Sequence, residues 1–540
     1  MVSFGKTIAR ANTKLPLNLA AALLAGSTLI SSVLGLIRDR LLNGLYYSTY
    51  PQGIDAYTVA FIIPDFMFFI LVTGALSVTF IPVFNQRLAS GNKKSAWELS
   101  TSVLNLMAII TLVASILIII FADPLVKYVV GPGLNESGRA LAVSMMRVIA
   151  INPFLFSIAS VVASMQQAVG RFTFFAIAPA VYNVGIIIGA LFFTNGIRIF
   201  NWQVFDGGIM GVALGVTLGS VMQLLISCFG LMGMGFDYRF KIYWQNQGFL
   251  KVLSLLPARS LDQGIDYVNG IVETNLASRM VSGTIRAYQQ ASTLSYVPIN
   301  LIGVAISTAA FPKMAERLGQ GRPDLFKQEL QTVLRVIIWL ALPVTVIAFF
   351  GRGYLVNFIK NGGDVLMSSI LGILAVAILF RSIYHISARS FYAQQDTKTP
   401  LYISFFSIGL NIILAIWFTM GLNLGAYGLA WATAIVSAVE VTVLFTMMSR
   451  RIKGLFDLSF ISAVSRMVVA TLLMSIITYI SFSTLPLSAT DQSFIASFPK
   501  FALVVAFSFF LYLILSRMLG LQEVKPIIAK ITKLLPNKLK

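Results

Sequence analysis

The residues best suited to chemistry in this chain are charged groups set in apolar surroundings. Residues 26–40, GSTLISSVLGLIRDR, close an apolar run with Arg38, Asp39 and Arg40. An arginine fork there can clamp a phosphate or carboxylate through paired charge-assisted hydrogen bonds, which strengthen where water is scarce. The plainer reading is that the triplet marks a water interface. A second group, Asp262, Asp266 and Glu273, is spaced at four and seven residues, which places all three on one helical face together with Asn269. Such a row can hold sodium, carry protons, or pair with arginines such as Arg259 and Arg279. Arg286 follows shortly after. A third group sets His385 four residues from both Arg381 and Arg389, with Glu440 further along. Beside two cations, His385 reads as a neutral hydrogen-bonding group. Glu440 is either a buried partner of an arginine or a functional acid.

The elements that must position these groups are membrane helices. Of 540 residues, 57% are hydrophobic and 11% charged, with a mean hydropathy of +0.84; soluble domains carry about 25% charge. Apolar runs fall at roughly 17–37, 56–84, 98–122, 140–168, 172–195, 208–234, 256–282, 284–311, 333–351, 366–394, 399–421, 425–448, 463–485 and 498–518. This predicts an all-α integral membrane protein of about 14 spans. The net charge of +20 resides in short loops, so nucleic acid is not implied. With the N-terminus inside, the inner loops and tails hold roughly 28 Lys/Arg and the outer loops roughly 10. Both termini are therefore expected in the cytoplasm. Lys6, Arg10 and Lys14 belong to a retained cytoplasmic end, residues 1–16, and residues 520–540 to a basic tail. From Val524 the tail has the spacing of an amphipathic helix for an anionic leaflet. Arg147 and Arg381 fall within spans, where a charge turns to a bundle interior or cavity.

Catalytic readings find little support. One cysteine (Cys228) and one histidine (His385) exclude thiolate or histidine metal clusters. There is no phosphate-binding GxxxxGK[ST] loop, no nucleophile elbow and no HExxH helix.

Three echoes reveal a duplication. GALSVTFIPVFNQRLASG (74–91) recurs as GVAISTAAFPKMAERLGQG (303–321), with Ser77, Pro82, Arg87, Leu88 and Gly91 matching Ser307, Pro312, Arg317, Leu318 and Gly321 at an offset of 230. Gln166, Gln167 and Asn183 match Gln394, Gln395 and Asn411 at equal spacing. Residues 211–220 match 428–437. Spans 1–6 (17–235) and 7–12 (236–450) read as parallel six-helix repeats, with spans 13 and 14 (451–519) outside the duplication. Transporters so built bind substrate between halves. Arg38, Arg40, Arg279 and Arg286 are expected toward the outer side and Arg259 and Arg389 at inner helix ends, a set suited to an anionic or diphosphate-bearing substrate.

The runs TLISSVLGLIRD, DAYTVAFIIPD (Asp55–Asp65), GALSVTFIPVF and, most specifically, RSFYAQQDTKTPLYIS (Arg389–Ser404) resemble the MurJ/MviN family of lipid II flippases, within the multidrug/oligosaccharidyl-lipid/polysaccharide exporter superfamily. The resemblance implies two six-helix lobes around a cationic cavity, and a groove for the undecaprenyl tail formed by the last two spans. It also implies movement of lipid II from inner to outer leaflet for cell-wall synthesis, driven by membrane potential or a cation gradient without ATP. The expected home is the bacterial cytoplasmic membrane, with membrane lipids and cell-wall synthesis proteins as partners and a monomer as the working unit. Arg38 and Asp39 occupy the family's Arg-Asp, and Asp55 its following aspartate. With Arg40, Arg259, Arg279 and Arg286 they form the expected headgroup set. The family's sodium site maps onto Glu273, Asn411 and Thr433, with Asp266 nearby; coupling to sodium or protons is the only cofactor requirement foreseen. Departures are Ser32, Phe68, Phe69, Thr73 and Thr293 where the family has charged residues, and Ala415 where an acid is expected. Arg286 lies seven residues before Thr293 on the same face and can stand in for it. The rival readings are a flippase for another polyprenyl-linked glycan, a multidrug or cation antiporter, and a membrane enzyme or scaffold.

Overall fold

The computed structural model describes residues 16–73, 79–199, 202–488 and 491–526. Among them, thirteen helices are long and apolar enough to cross a membrane, and Gln247–Ser278 forms a further long helix of 32 residues. The chain is thus a multi-pass membrane protein whose spans are helical. The expected N-terminal end, Ser77, and the tail beyond Pro526 lie outside the described residues.

Two compact units meet in sequence at Arg286/Ala287. The first contains α1 (Leu17–Leu42), α2 (Pro51–Phe68), a short α3 (Ile81–Ala89), α4 (Lys93–Pro124), α5 (Glu136–Ile149), α6 (Asn152–Ala168), α7 (Thr173–Phe192), α8 (Met210–Phe229) and α9 (Gln247–Ser278). A small antiparallel hairpin, Ile197–Ile199 with Trp202–Phe205, joins α7 to α8. The repeat boundary falls before α9, yet α9 packs against α2 and α4 of the first unit. The opening turn of α10 (Thr284–Pro298) also belongs to the first unit. The second unit continues with α11 (Ala305–Gly319), α12 (Pro323–Phe350), α13 (Arg352–Ile359), α14 (Val365–Ala393), α15 (Lys398–Ile416), α16 (Ala426–Arg451), α17 (Leu458–Thr484) and α18 (Phe494–Met518).

Glycine spacing shapes the first unit. Gly185 and Gly189 on α7 face Gly219 and Gly215 on α8, and a Cβ added at Gly185 or Gly215 would stand 2.3 or 2.5 Å from the opposing Cα. Small residues four apart let helix backbones touch where there is no hydrophobic drive between helices in lipid. This contact fixes α7, which carries Asn183. Several helices also widen into π-helical turns, at Asn43–Tyr47, Phe69–Thr73, Leu125–Val130, Ile299–Val304 and Trp417–Gly421.

In the second unit, the helices outside the duplication are bolted to α12. Trp339 Nε1 donates to Ser516 Oγ at 3.0 Å, and Tyr512 donates to the Trp339 carbonyl at 3.0 Å. Arg335 pairs with Glu523 at 2.6 Å. Arg147 sits in the last turn of α5, just before the break to α6, where it is exposed and donates to the Ile119 carbonyl at 3.3 Å.

Candidate functional site

The charge group at the end of α1 is assembled from α1 and its π-helical turn, α7 and the opening turn of α10, all within the first unit. Arg38 and Asp39 end the apolar run, and Asn43 opens the π-helical turn one helical turn on. Arg38 forks onto both Asp39 carboxylate oxygens through Nη2 at 3.1 and 3.2 Å, and its Nη1 donates to Asn183 Oδ1 on α7 at 2.9 Å. Asn183 is held in turn, its amide donating to the Ser31 carbonyl at 3.2 Å and to the Pro179 carbonyl at 3.3 Å.

Arg286 approaches Asp39 from the start of α10. Its Nη2 lies 3.2 Å from Asp39 Oδ1, and its Nε donates to Asn43 Oδ1 at 2.9 Å. Asp39 therefore serves two guanidinium groups, leaving one positive charge in excess. The arginines differ in access: the Arg38 side chain is 25% exposed and that of Arg286 4%. Arg38 is the fork a ligand can reach, and Arg286 is the buried brace.

Asp55 on α2 does not join the arginine forks. It is buried, and its carboxylate accepts from the backbone N–H of Gly283 at 2.5 Å and of Arg286 at 2.9 Å. It caps α10 from another helix, satisfying N–H groups that the helix leaves open. The cap sets where Arg286 emerges.

The other expected residues are placed as follows. Arg40 is half-buried beside the group. Arg279 is exposed at the end of α9, donating to Asn275 at 3.3 Å, and stands apart from Asp39. The side chains of Arg259, Asp262 and Asp266 lie outside the described residues. Glu273 accepts from Asn269 at 2.9 Å, as their shared face predicted. In the second unit, Asn411 is buried with its Oδ1 lacking a hydrogen-bond partner, and Thr433 meets Tyr288 at 3.3 Å. Ala415 is buried and offers no donor atom. Arg381 donates to Ser437 at 3.1 Å, and Glu440 accepts from Ser404 at 3.4 Å. No group of three or more His, Cys, Asp or Glu placed to hold a metal occurs among the described residues.

The departures from the family pattern are filled with other contacts. Phe69 stacks on Tyr267 at 4.3 Å and Phe68 meets Phe156 edge-on at 5.6 Å. The Ser32 and Thr293 hydroxyls bond back to the carbonyls of Thr28 and Gln289. The most specific shared run, around Asp396, is a structural turn. Gln395 takes a positive φ of 61°, and Asp396 accepts from Thr399 N at 3.0 Å, from the Thr399 hydroxyl at 2.6 Å and from Arg451 at 2.6 Å. Burial opposes ionisation of this carboxyl, but those donors and the arginine outweigh it and hold it at about 2.

Sequence reasoning about charge did not single out Asn43. Asn183 was visible only as a repeat echo of Asn411. The available signal was spacing: Asn43 follows Asp39 by four residues, on the same helical face.

A family model described as lipid II flippase MurJ matches residues 52–497. A probable lipid II flippase MurJ of Buchnera aphidicola subsp. Acyrthosiphon pisum (strain APS) is 27% identical over 395 residues, 72% of this chain and 75% of that protein. One of Thermotoga maritima is 25% identical over 440 residues, covering 80% and 84%. A solved structure of lipid II flippase MurJ in an inward closed conformation has a TM-score of 0.74 at 23% identity, covering 92% of this chain and 98% of that one. An inward-facing multidrug resistance MATE transporter of the MOP superfamily reaches 0.66 at 17% identity, covering 82% and 99%. At these identities the two structures speak for the fold alone. The family match spans most of the chain, so the chain belongs to the lipid II flippase MurJ family.

Proposed function

We infer that this chain moves lipid II, the lipid-linked peptidoglycan precursor, across the bacterial cytoplasmic membrane from inner to outer leaflet, as a transporter rather than an enzyme. Family membership carries this reading. The observation that gives it chemistry is the sharing of Asp39 between Arg38 and Arg286, which leaves a cationic excess and a reachable fork. A diphosphate is a fitting ligand for Arg38, because a planar guanidinium binds phosphate oxygens two at a time. Arg286 supports it by holding Asp39 and thus the orientation of Arg38. The Lys/Arg bias of the loops supports a cytoplasmic position for both termini, and alternating access is the mode consistent with the duplication.

Depleting the protein and measuring lipid II exposed at the outer leaflet tests the assignment; unchanged exposure refutes it. Arg38→Ala and Arg286→Ala are both expected to fail in supporting cell-wall synthesis. If Arg286→Ala supports it as well as wild type while Arg38→Ala does not, the bracing role is wrong. Sodium coupling is proposed at Asn411 and Thr433, because the unpartnered Asn411 Oδ1 is an oxygen of the kind sodium takes. Replacing sodium by choline should then slow transport, and an unchanged rate removes sodium from the cycle.

A further inference from the structure

A cavity of about 700 Å³ opens on the first unit away from the Asp39 group, where the N-terminal ends of α4 and α9 come together. Arg87, Lys94 and Lys241 line it, with Glu98 as the acid and Trp244 and Asn246 at its wall. Three cations against one carboxylate favour an anion.

The site is built. The segment 238–246 is strapped along α4 by side chains of that helix. Asn105 donates to the carbonyls of Arg239 and Lys241 at 2.9 and 3.0 Å, and Ser102 Oγ accepts from Tyr243 N at 2.8 Å. Asn246 donates to the Ser95 carbonyl at 3.0 Å while its Oδ1 caps α9 by accepting from Phe249 N at 3.2 Å. Gly248 makes room for Arg87, whose Nε would stand 3.3 Å from a Cβ there.

The strap itself identifies the environment. Tyr238, Phe240 and Trp244 are 50, 82 and 55% exposed, alternating with Arg239 and Lys241. Exposed aromatic rings interleaved with cations belong at a membrane–water interface, where the ring sits at headgroup depth. Arg87 lies on α3 between the second and third spans and Lys241 in the loop after the sixth, hence on one side of the membrane, the side the charge bias assigns to the cytoplasm.

We propose that this pocket binds the phosphate of an anionic phospholipid headgroup in the inner leaflet, at a site separate from the Asp39 group. The cations take the phosphate, and the exposed rings of the strap lie among the neighbouring lipids. Basic pockets between helices on the cytoplasmic side suit such headgroups.

The test uses the full-length protein in phosphatidylcholine nanodiscs doped with phosphatidylglycerol, reading retained lipid by native mass spectrometry. Each basic residue near an anionic surface is worth about fivefold in affinity, so Arg87→Gln/Lys94→Gln/Lys241→Gln should bind phosphatidylglycerol roughly 100-fold more weakly. The double variant Lys94→Gln/Lys241→Gln changes only exposed side chains, which keeps the fold intact, and should lose roughly 25-fold. Retention by either variant within twofold of wild type overturns the proposal, as does equal retention of phosphatidylcholine by wild type. Inorganic phosphate serves as the second probe. Weak displacement by millimolar phosphate supports a lipid headgroup, whereas complete displacement identifies a free-anion site and overturns the lipid assignment.

Discussion

Asp39→Ala is the substitution whose cost the structure specifies best. It removes a carboxylate shared by two guanidinium groups, but the two arginines are not equally harmed. Arg38 keeps Asn183 and a quarter of its surface in contact with the surroundings. Arg286, at 4% exposure, keeps Asn43 but loses the carboxylate that neutralises it. Breaking a buried pair from one side costs about 3–5 kcal/mol, because the surviving charge stays buried without the carboxylate that neutralised it. Replacing both members by apolar groups removes that penalty. Asp39→Ala/Arg286→Met should therefore be less destabilised than the sum of its parts by about 2 kcal/mol. Equilibrium unfolding in mixed micelles of wild type, both single variants and the double variant measures the coupling. Additivity within about 0.5 kcal/mol means that Arg286 and Asp39 do not depend on one another, and that Arg286 is not the brace.

The α7–α8 contact predicts that Gly215→Ala destabilises the first unit by about 1–3 kcal/mol, because the new methyl meets backbone that cannot move aside as a side chain would. An unchanged melting temperature in micelles would contradict the close approach. In the loop before α18, Lys500 at 2.7 and 2.9 Å and then the Ser488 N–H and hydroxyl hold the Asp491 carboxyl down at about 2. A carboxyl depressed in the folded state stabilises fully above its ordinary value near 3.9 and loses that contribution only as pH falls through about 2. Protection of this loop against protease should therefore persist at pH 4, and Lys500→Met should raise the Asp491 titration seen by NMR. An unmoved titration would rule the lysine out as its cause.

Much of the fold was legible because a bilayer imposes long apolar runs, and those runs appear in order as helices. The duplication pointed to Asn183 and Asn411 before either had a partner or an orphaned oxygen to explain it. Other features depend on packing that spacing cannot supply. Arg279 and Arg286 read alike as cations near helix ends, yet one faces outward and one is buried, because Asp55 caps α10 through space and directs Arg286 inward. The break between α5 and α6, which sets Arg147 in a last turn, lies inside a run that reads as one span. The strap over α4 was foreshadowed by Ser95, Ser102 and Asn105, which share one helical face, but only the fold shows that this face receives the loop from 238 to 246.

The glycine contact between α7 and α8 has a mechanical consequence. Two helices pressed backbone to backbone have no compliant layer between them, so they act as one stiff beam that resists sliding. Arg38 is clipped to that beam through Asn183. Any displacement of the beam is transmitted directly to the guanidinium on α1, while compliance is left to the wide π-helical turns just beyond it at Asn43–Tyr47.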